Sequence, residues 1–485
     1  MFDTEHSFPT QAFIGGRWED ARDGRTFAVI DPATGDLIAN VADCSEADTV
    51  SAIEAAHGAQ AGWASTTAAE RATILRRWRD LFVEHADDLA TLLMRENGKP
   101  FAEARGEVLY GASYLEWFSE EARRVYGDII PAPAGNKRVL VIRQPVGVCA
   151  AITPWNFPNA MLSRKVAAAL AAGCTMVAKP AEDTPLSALA IANLGAQAGV
   201  PDGVFNVVPT SRPKLVGGAL TGSDLVRKIS FTGSTQVGRL LLEQAAGTIK
   251  KTSMELGGNA PFIVFDDADL EAAADGLMLS KFRNAGQTCV CANRIFVQAG
   301  VMEKFSDLVR ERVSRLKVAR GDVAGADIGP LINANAVRKV ERLVDSACRD
   351  GAKLVIGGER HAAGELFYTP TILANVQPRM DIAQEEIFGP VVAMISFNTE
   401  AEAISMANDT PFGLAAYAYT RDLGRAWRIG ERLDYGMVGI NDSALSNAAA
   451  PFGGVKQSGM GREGSRYGLD DYLEIKYLLM GGLGA

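Results

Sequence analysis

The chain has 485 residues, 47% hydrophobic and 22% charged, a composition that excludes disorder as the dominant state and allows a large core without staples. At about 150 residues per domain, such a length suggests two to four domains. With 49 basic against 58 acidic residues the net charge is -9, which argues against nucleic acid or an anionic membrane as the main partner.

The first ten residues, MFDTEHSFPT, offer no positive n-region and no apolar h-region, and are too acidic for a transit peptide. Residues 46–122 read as mostly helical, most clearly over Ala69–Glu84 and Asp87–Glu96. Asn97-Gly98-Lys99-Pro100 then carries a helix stop signal. From about residue 145 to 255 strands and helices alternate. Val146–Thr153, Cys174–Ala178, Gly203–Val208 and Lys228–Phe231 are strand candidates, with helices expected over Arg164–Ala172 and Ser187–Ala198. This rhythm predicts an open parallel sheet covered on both faces. The apolar run Val166–Val177 is too short to span a bilayer and is broken by Gly173.

A second alternating block runs from about residue 260 to 420. Ala260–Phe265 and Arg294–Gln298 read as strands, Met302–Lys317 and Ala334–Asp350 as amphipathic helices. The tail Tyr472–Met480 is strand-like. Its edge needs a partner, either in its own subunit or in another protomer. The fold class is α/β.

Six cysteines without a CxxC pair, and four scattered histidines, make neither a disulfide scaffold nor a zinc site. No metal is expected, and the reading is a soluble protein of a reducing cytosol. With histidine so scarce, a general base is expected to be a carboxylate. Gly459-Met-Gly-Arg-Glu-Gly464 matches GxGxxG but follows no strand and opens no apolar helix, so it is set aside as a pyrophosphate loop.

Three residues stand out for chemistry. Cys289 lies in a polar, small-residue loop, where a thiol can be exposed and activated, particularly if a helix starts just after it; a packed small hydrophobe is the commoner fate of a cysteine. Glu255, between apolar residues and before Gly257-Gly258, can be desolvated as a general base requires, or be a salt-bridged strand end. Asn156 follows a predicted strand in Thr153-Pro-Trp-Asn-Phe-Pro158, where its amide can serve an oxyanion or simply shape a turn.

Taken in order, ITPWNFP, VAKPAEDTP, FTGST, MELGGN, GQTC, EEIFGP and PFGG resemble the aldehyde dehydrogenase superfamily over essentially the whole chain. SKFRNAGQTCVCANR, with its flanking segments, is similar to the succinate-semialdehyde dehydrogenase branch. The resemblance implies Cys289 as the nucleophile that forms a thiohemiacetal and then a thioester. It implies Asn156 and the Cys289 N–H as the oxyanion site, Glu255 as the base that activates water, and Lys165 as part of a proton network.

For the cofactor it implies Trp155, Lys179 and Glu182, then Gly233, Ser234 and Gly238, then Glu386 and Phe388. A carboxylate at 182 accepts ribose hydroxyls and repels a 2′-phosphate, which favours NAD; Lys179 leaves NADP open. For the substrate it implies Arg164, Arg283 and Ser446 on the far carboxylate of a semialdehyde. Guanidinium forks suit that group. The chain departs from the branch at Ser443-Ala444-Leu445, where glycine and two aliphatic residues are usual. Glutarate semialdehyde or another short ω-carboxyl aldehyde is therefore the alternative to succinate semialdehyde. Relatives that pass the acyl group to CoA commonly lack the base, so Glu255 argues against that route. A non-catalytic protein on the same fold is the remote alternative.

The implied architecture is a Rossmann-like NAD(P)-binding domain from 1–122 and 146–257, a catalytic domain from 258–457, and an oligomerisation arm with C-terminal strand from 123–145 and 458–485. The implied assembly is a homodimer or homotetramer. The resemblance also implies a reversible Cys289–Cys291 disulfide that blocks catalysis. In a regular strand residues i and i+2 lie about 6.5–7 Å apart, at the upper limit for a disulfide, so the loop would have to bend.

Overall fold

A computed structural model describes residues 9–483. Residues 1–8, which hold most of the stretch read for a leader, lie outside the described residues.

Two sheets organise the chain. In the first, the central strands Lys251–Glu255, Val226–Thr232, Val148–Ile152, Thr175–Lys179 and Phe205–Val207 are parallel, in that spatial order. Gly459–Met460 adds antiparallel at one edge, and Ala12–Ile14 with Arg17–Glu19 at the other. From Val148–Ile152 the chain winds one way through two strands, then returns to the opposite side with Val226–Thr232. The order reverses there, and open α/β sheets bind ligands beyond the carboxyl ends of the strands at such a point.

The second sheet runs Lys353–Ile356, Thr371–Ala374, Val391–Phe397, Ala292–Gln298, Ala260–Val264, Ala415–Tyr419 and Met437–Ile440, parallel except for the first strand. Only residues 256–259 separate Glu255, the last residue of the first sheet's strand Lys251–Glu255, from Ala260, the first of the other sheet. The carboxyl edge of one sheet thus leads directly into the amino edge of the next.

Helix Pro158–Ala172 is buried at all fifteen positions, because it lies beneath other helices as well as on the sheet. It starts six residues before the expected Arg164. Pro158 at its first turn supplies a preset φ, and Gly173 at φ 91° ends it. Helix Met302–Val313 stops four residues short of the expectation.

The tail strand Leu473–Met480 pairs antiparallel with Arg138–Pro145 of its own chain, and Asp128–Ile130 completes a three-stranded sheet. Its partner is therefore within the subunit. Gly459–Met460 belongs to the large sheet, so the chain enters the small sheet at Leu473, later than the boundary at 458. Ile475 (71% exposed) and Ile129 (82% exposed) leave the small sheet apolar on its surface. Among the described residues no helix is long and apolar enough to cross a membrane.

Candidate active site

A cavity of about 370 Å³ opens where the two sheets meet. Its walls come from the loops after three parallel strands: Trp155 and Asn156, Gly233 and Ser234, and Glu255. Cys289, Glu386 and Phe388 line it too, as do Arg164, Arg283 and Ser446. Lys165, Lys179, Glu182, Gly238 and Cys291 are not part of the lining.

No helix follows Cys289; a turn does, closed by Cys291 N–H donating to the Thr288 carbonyl at 3.1 Å, before strand Ala292–Gln298. The preceding segment is left-handed at Asn284, Ala285 and Gly286, with φ 51°, 54° and 76°. Alanine in that region costs about 1–2 kcal/mol, so surrounding bonds must hold it. They do. Asn284 N–H donates to Glu103 Oε2 (2.8 Å), and the Ile332 N–H donates to Gln287 Oε1 (2.9 Å). A side chain at Gly258 would sit 2.4 Å from the Cys289 carbonyl oxygen, so only glycine lets the two loops approach. Burial pushes the Cys289 thiol up to about 12, while the Arg164 guanidinium pulls it down.

Asn156 is buried, and its amide is locked. Nδ2 donates one hydrogen to the Gln287 carbonyl at 3.0 Å, and Oδ1 accepts from Phe157 N–H at 3.1 Å. An amide nitrogen carries two hydrogens, so Nδ2 keeps a second one to donate, and Asn156 lines the same cavity as Cys289.

Glu255 ends its strand 2% exposed, and neither carboxylate oxygen has a hydrogen-bond partner among the described residues. Burial, then the negative charge of Glu463, raise its pKa well above the ordinary glutamate value. A carboxylate desolvated in this way is a stronger base.

The buried helix carries two charges into the core. Arg164, 1% exposed, lies over the Phe452 ring at 4.6 Å and is ion-paired with Glu463. Its two terminal nitrogens have no hydrogen-bond partner among the described residues. Lys165 sits behind the cavity, ion-paired with the other Glu463 oxygen and donating to Ser230 Oγ at 3.0 Å. Arg283 lies over the Phe157 ring at 4.6 Å. Glu463 escaped the sequence reading because it lies inside the discounted glycine motif. That loop seats it through reciprocal backbone bonds with Phe452, both 2.8 Å.

Ser234 caps helix Thr235–Ala246, whose unpaired N–H end suits a phosphate. Gly238 lets that helix pack on Leu256, since a Cβ there would be 2.4 Å from Leu256 Cδ2. Glu386 accepts from Gly258 N–H at 3.0 Å, and burial pushes its carboxyl up to about 7. Phe388 meets Trp155 edge-on at 5.5 Å. Lys179 ends its strand and pairs with Glu182 at 3.2 Å. Helix Ala334–Arg349 adds Asn335 and Lys339 to the lining, which the motifs did not flag. A helix N-terminus and a buried ribose-type acceptor in one cleft fit a nicotinamide dinucleotide.

Residues 18–478 match the aldehyde dehydrogenase family. The chain is 56% identical to the glutarate-semialdehyde dehydrogenase of Pseudomonas aeruginosa, covering 98% of each. It is equally 56% identical, over 98% of each, to the Escherichia coli succinate-semialdehyde dehydrogenase GabD, whose name specifies NADP(+). The crystal structure of succinate-semialdehyde dehydrogenase from Burkholderia pseudomallei superposes with a TM-score of 0.96 at 58% identity, covering 97% of this chain and 98% of that one.

Proposed function

The chain belongs to the aldehyde dehydrogenase family and is an NAD(P)-dependent aldehyde-oxidising enzyme, and from this we propose that it converts succinate semialdehyde to succinate. Glutarate semialdehyde, or another short ω-carboxyl aldehyde, is the second reading, favoured by the departure at Ser443-Ala444-Leu445 beside Ser446. The observation that carries the proposal is Arg164. Arg164 lines the cavity that holds Cys289, and its terminal nitrogens are buried donors without partners among the described residues. Leaving such donors unmet is costly, and a carboxylate is the group that meets them best. Arg283 and Ser446 line the same cavity.

In this reading Cys289 reacts as the thiolate, its proton released to solvent beforehand: the sulfur lone pair bonds to the aldehyde carbon and the carbonyl electrons move to oxygen. The free Asn156 N–H and the Cys289 backbone N–H receive that oxyanion. A bound nicotinamide would supply the hydride acceptor for the same carbon, and the acyl group would then remain on Cys289 as a thioester. Glu255 takes a proton from water as the water oxygen attacks the thioester, and the sulfur departs. Gly233, Ser234 and the start of helix Thr235–Ala246 support the pyrophosphate, Glu386 and Phe388 the nicotinamide ribose, and Lys179 with Glu182 the adenosine ribose. The Glu182 carboxylate favours NAD over NADP, since a 2′-phosphate would face it. Lys165 acts from behind the wall through Glu463.

We further infer the division into a cofactor domain (1–122 and 146–257), a catalytic domain (258–457) and an arm ending in Leu473–Met480. The exposed Ile475 and Tyr477 on that arm support assembly as a dimer or tetramer. Six free cysteines fit a reducing cytosol.

The test is a panel of aldehydes of one to six carbons, with and without a terminal carboxylate, against NAD and NADP. The highest kcat/KM is expected for the four-carbon semialdehyde with NAD. Preference for uncharged aldehydes would refute the proposal.

A further inference from the structure

The stop signal Asn97-Gly98-Lys99 does more than end a helix. Helix Ala86–Asn97 is capped by Gly98 at φ 88°, and the residues on either side of this glycine turn toward the loop that bears Asn156. Asn97 Nδ2 donates to the Trp155 carbonyl at 2.9 Å, and Lys99 Nζ donates to the Asn156 carbonyl at 2.8 Å. Consecutive carbonyls of the loop are thus held by consecutive polar residues of one turn.

Lys99 and Glu107 form an ion pair at 2.5 Å with both side chains fully buried. The second oxygen of Glu107 accepts from Asn159 N–H (2.9 Å) and Ala160 N–H (3.2 Å), in the first turn of helix Pro158–Ala172. The ammonium also lies 4.1 Å from the centre of the Phe157 ring. The pair therefore grips residues 156 to 160 from one side. From the other, Asn284 Nδ2 donates to the same Asn156 carbonyl at 2.9 Å. A buried ion pair is weak evidence for stability as such. This one spends its spare hydrogen-bonding capacity on the backbone beneath a single amide.

We propose that Lys99, paired with Glu107, is a positioning residue that orients the Asn156 amide toward the oxygen of the reacting carbonyl. This rests on Asn156 as the oxyanion donor in the proposed function. A donor displaced by a fraction of an ångström loses much of its effect on a developing charge.

The test is a double-mutant cycle on the pre-steady-state burst of NADH with succinate semialdehyde. Lys99→Met strands a buried carboxylate, so the charge-balanced Lys99→Met/Glu107→Gln is made beside it. In either variant the burst should slow by about ten- to a hundredfold. Placed in an Asn156→Ala background, the same changes should slow it by no more than about twofold, because the amide they serve is gone. The Kd for NAD and the rate of Cys289 alkylation by iodoacetamide, which develops no oxyanion, should stay within about twofold of wild type. A wild-type burst in the Lys99 variants, with a slow one in Asn156→Ala, overturns the role of Lys99 alone. So does a further tenfold slowing in the Asn156→Ala background. A full burst in Asn156→Ala overturns both the proposal and the reading beneath it.

Discussion

Glu463 holds Arg164 with one carboxylate oxygen and Lys165 with the other. All three are buried, so one anion serves two neighbouring cations in the core. Burial alone would raise the Glu463 carboxyl, but Arg164 and Lys165 outweigh it and hold the group below the ordinary glutamate range. Glu463→Gln should therefore destabilise the protein by about 3–5 kcal/mol, the cost of breaking a buried pair from one side. Urea unfolding of variant and wild type at pH 7 measures it; a loss under about 1 kcal/mol would contradict the clamp. The sign with pH follows from a depressed carboxyl. The contribution is fully present above the unfolded-state value of about 4.3 and is lost as pH falls through the lower folded value.

Glu255 should separate the two halves of turnover. Glu255→Gln keeps a hydride burst but stalls at the thioester, so burst and steady-state rates part by a hundredfold or more, within the usual range of about 10²–10⁴ for a general base. In wild type the raised carboxyl must ionise first. The steady-state rate should therefore climb with pH along a limb above the ordinary glutamate range, and that limb should vanish in the variant. Equal loss of burst and steady state would assign Glu255 another task.

Cys289 gives a prediction for the cofactor-free protein. With its thiol near 12, the thiolate is scarce at neutral pH. Iodoacetamide should label it slowly at pH 7, and the rate should rise about tenfold per pH unit up to pH 9. Mass spectrometry of the labelled peptide reports the site, and a plateau near pH 7 would mean a far more acidic thiol. Cys289→Ala should abolish oxidation and leave NAD binding intact.

The loops that line the cavity were legible in the sequence because each lies within a few residues of chain. Thr153–Pro158 and Met254–Asn259 at strand ends, and Gly286–Cys289 ahead of strand Ala292–Gln298, are contiguous motifs whose residues line one cleft. Helix Pro158–Ala172 was legible only in its second half. A helix buried on every side shows no amphipathic period, and Arg164 and Lys165 within it look like surface residues. Glu463 was not legible: it acts on Lys165 across 298 residues, from a glycine loop that reads as a failed nucleotide motif. The partner of the tail strand was equally beyond local pattern, since edge pairing at that separation leaves no periodic trace.

Cys291 should act as the resolving thiol under oxidation. Expected strand spacing works against a Cys289–Cys291 bond, but the chain there is not a strand. The Thr288–Cys291 turn bends it around Cys289, while the Cys291 thiol donates to the Lys281 and Ala292 carbonyls at 3.6 Å, so closing the ring requires that thiol to leave those acceptors. Peroxide should convert the Cys289 thiolate to a sulfenic acid, and the Cys291 sulfur should displace water from it to form the disulfide. Dithiothreitol should then restore activity in wild type. In Cys291→Ala, full activity under reducing conditions should give way to largely irreversible loss after peroxide. Complete recovery in that variant would leave Cys291 as packing.

The central claim, that the cavity reads a terminal carboxylate through buried guanidinium groups, is tested most directly by one ratio: kcat/KM for succinate semialdehyde over that for butanal, in wild type and in Arg283→Ala and Arg164→Ala. A charge-assisted hydrogen bond contributes about 1.5–3 kcal/mol. Each substitution should therefore lower the ratio about ten- to a hundredfold; butanal should be little changed in Arg283→Ala, whereas Arg164→Ala, which also frees Glu463 and stops lowering the Cys289 thiol, should slow both aldehydes by a common factor that cancels in the ratio. A wild type indifferent to the carboxylate, or equal weakening for both aldehydes, would contradict it.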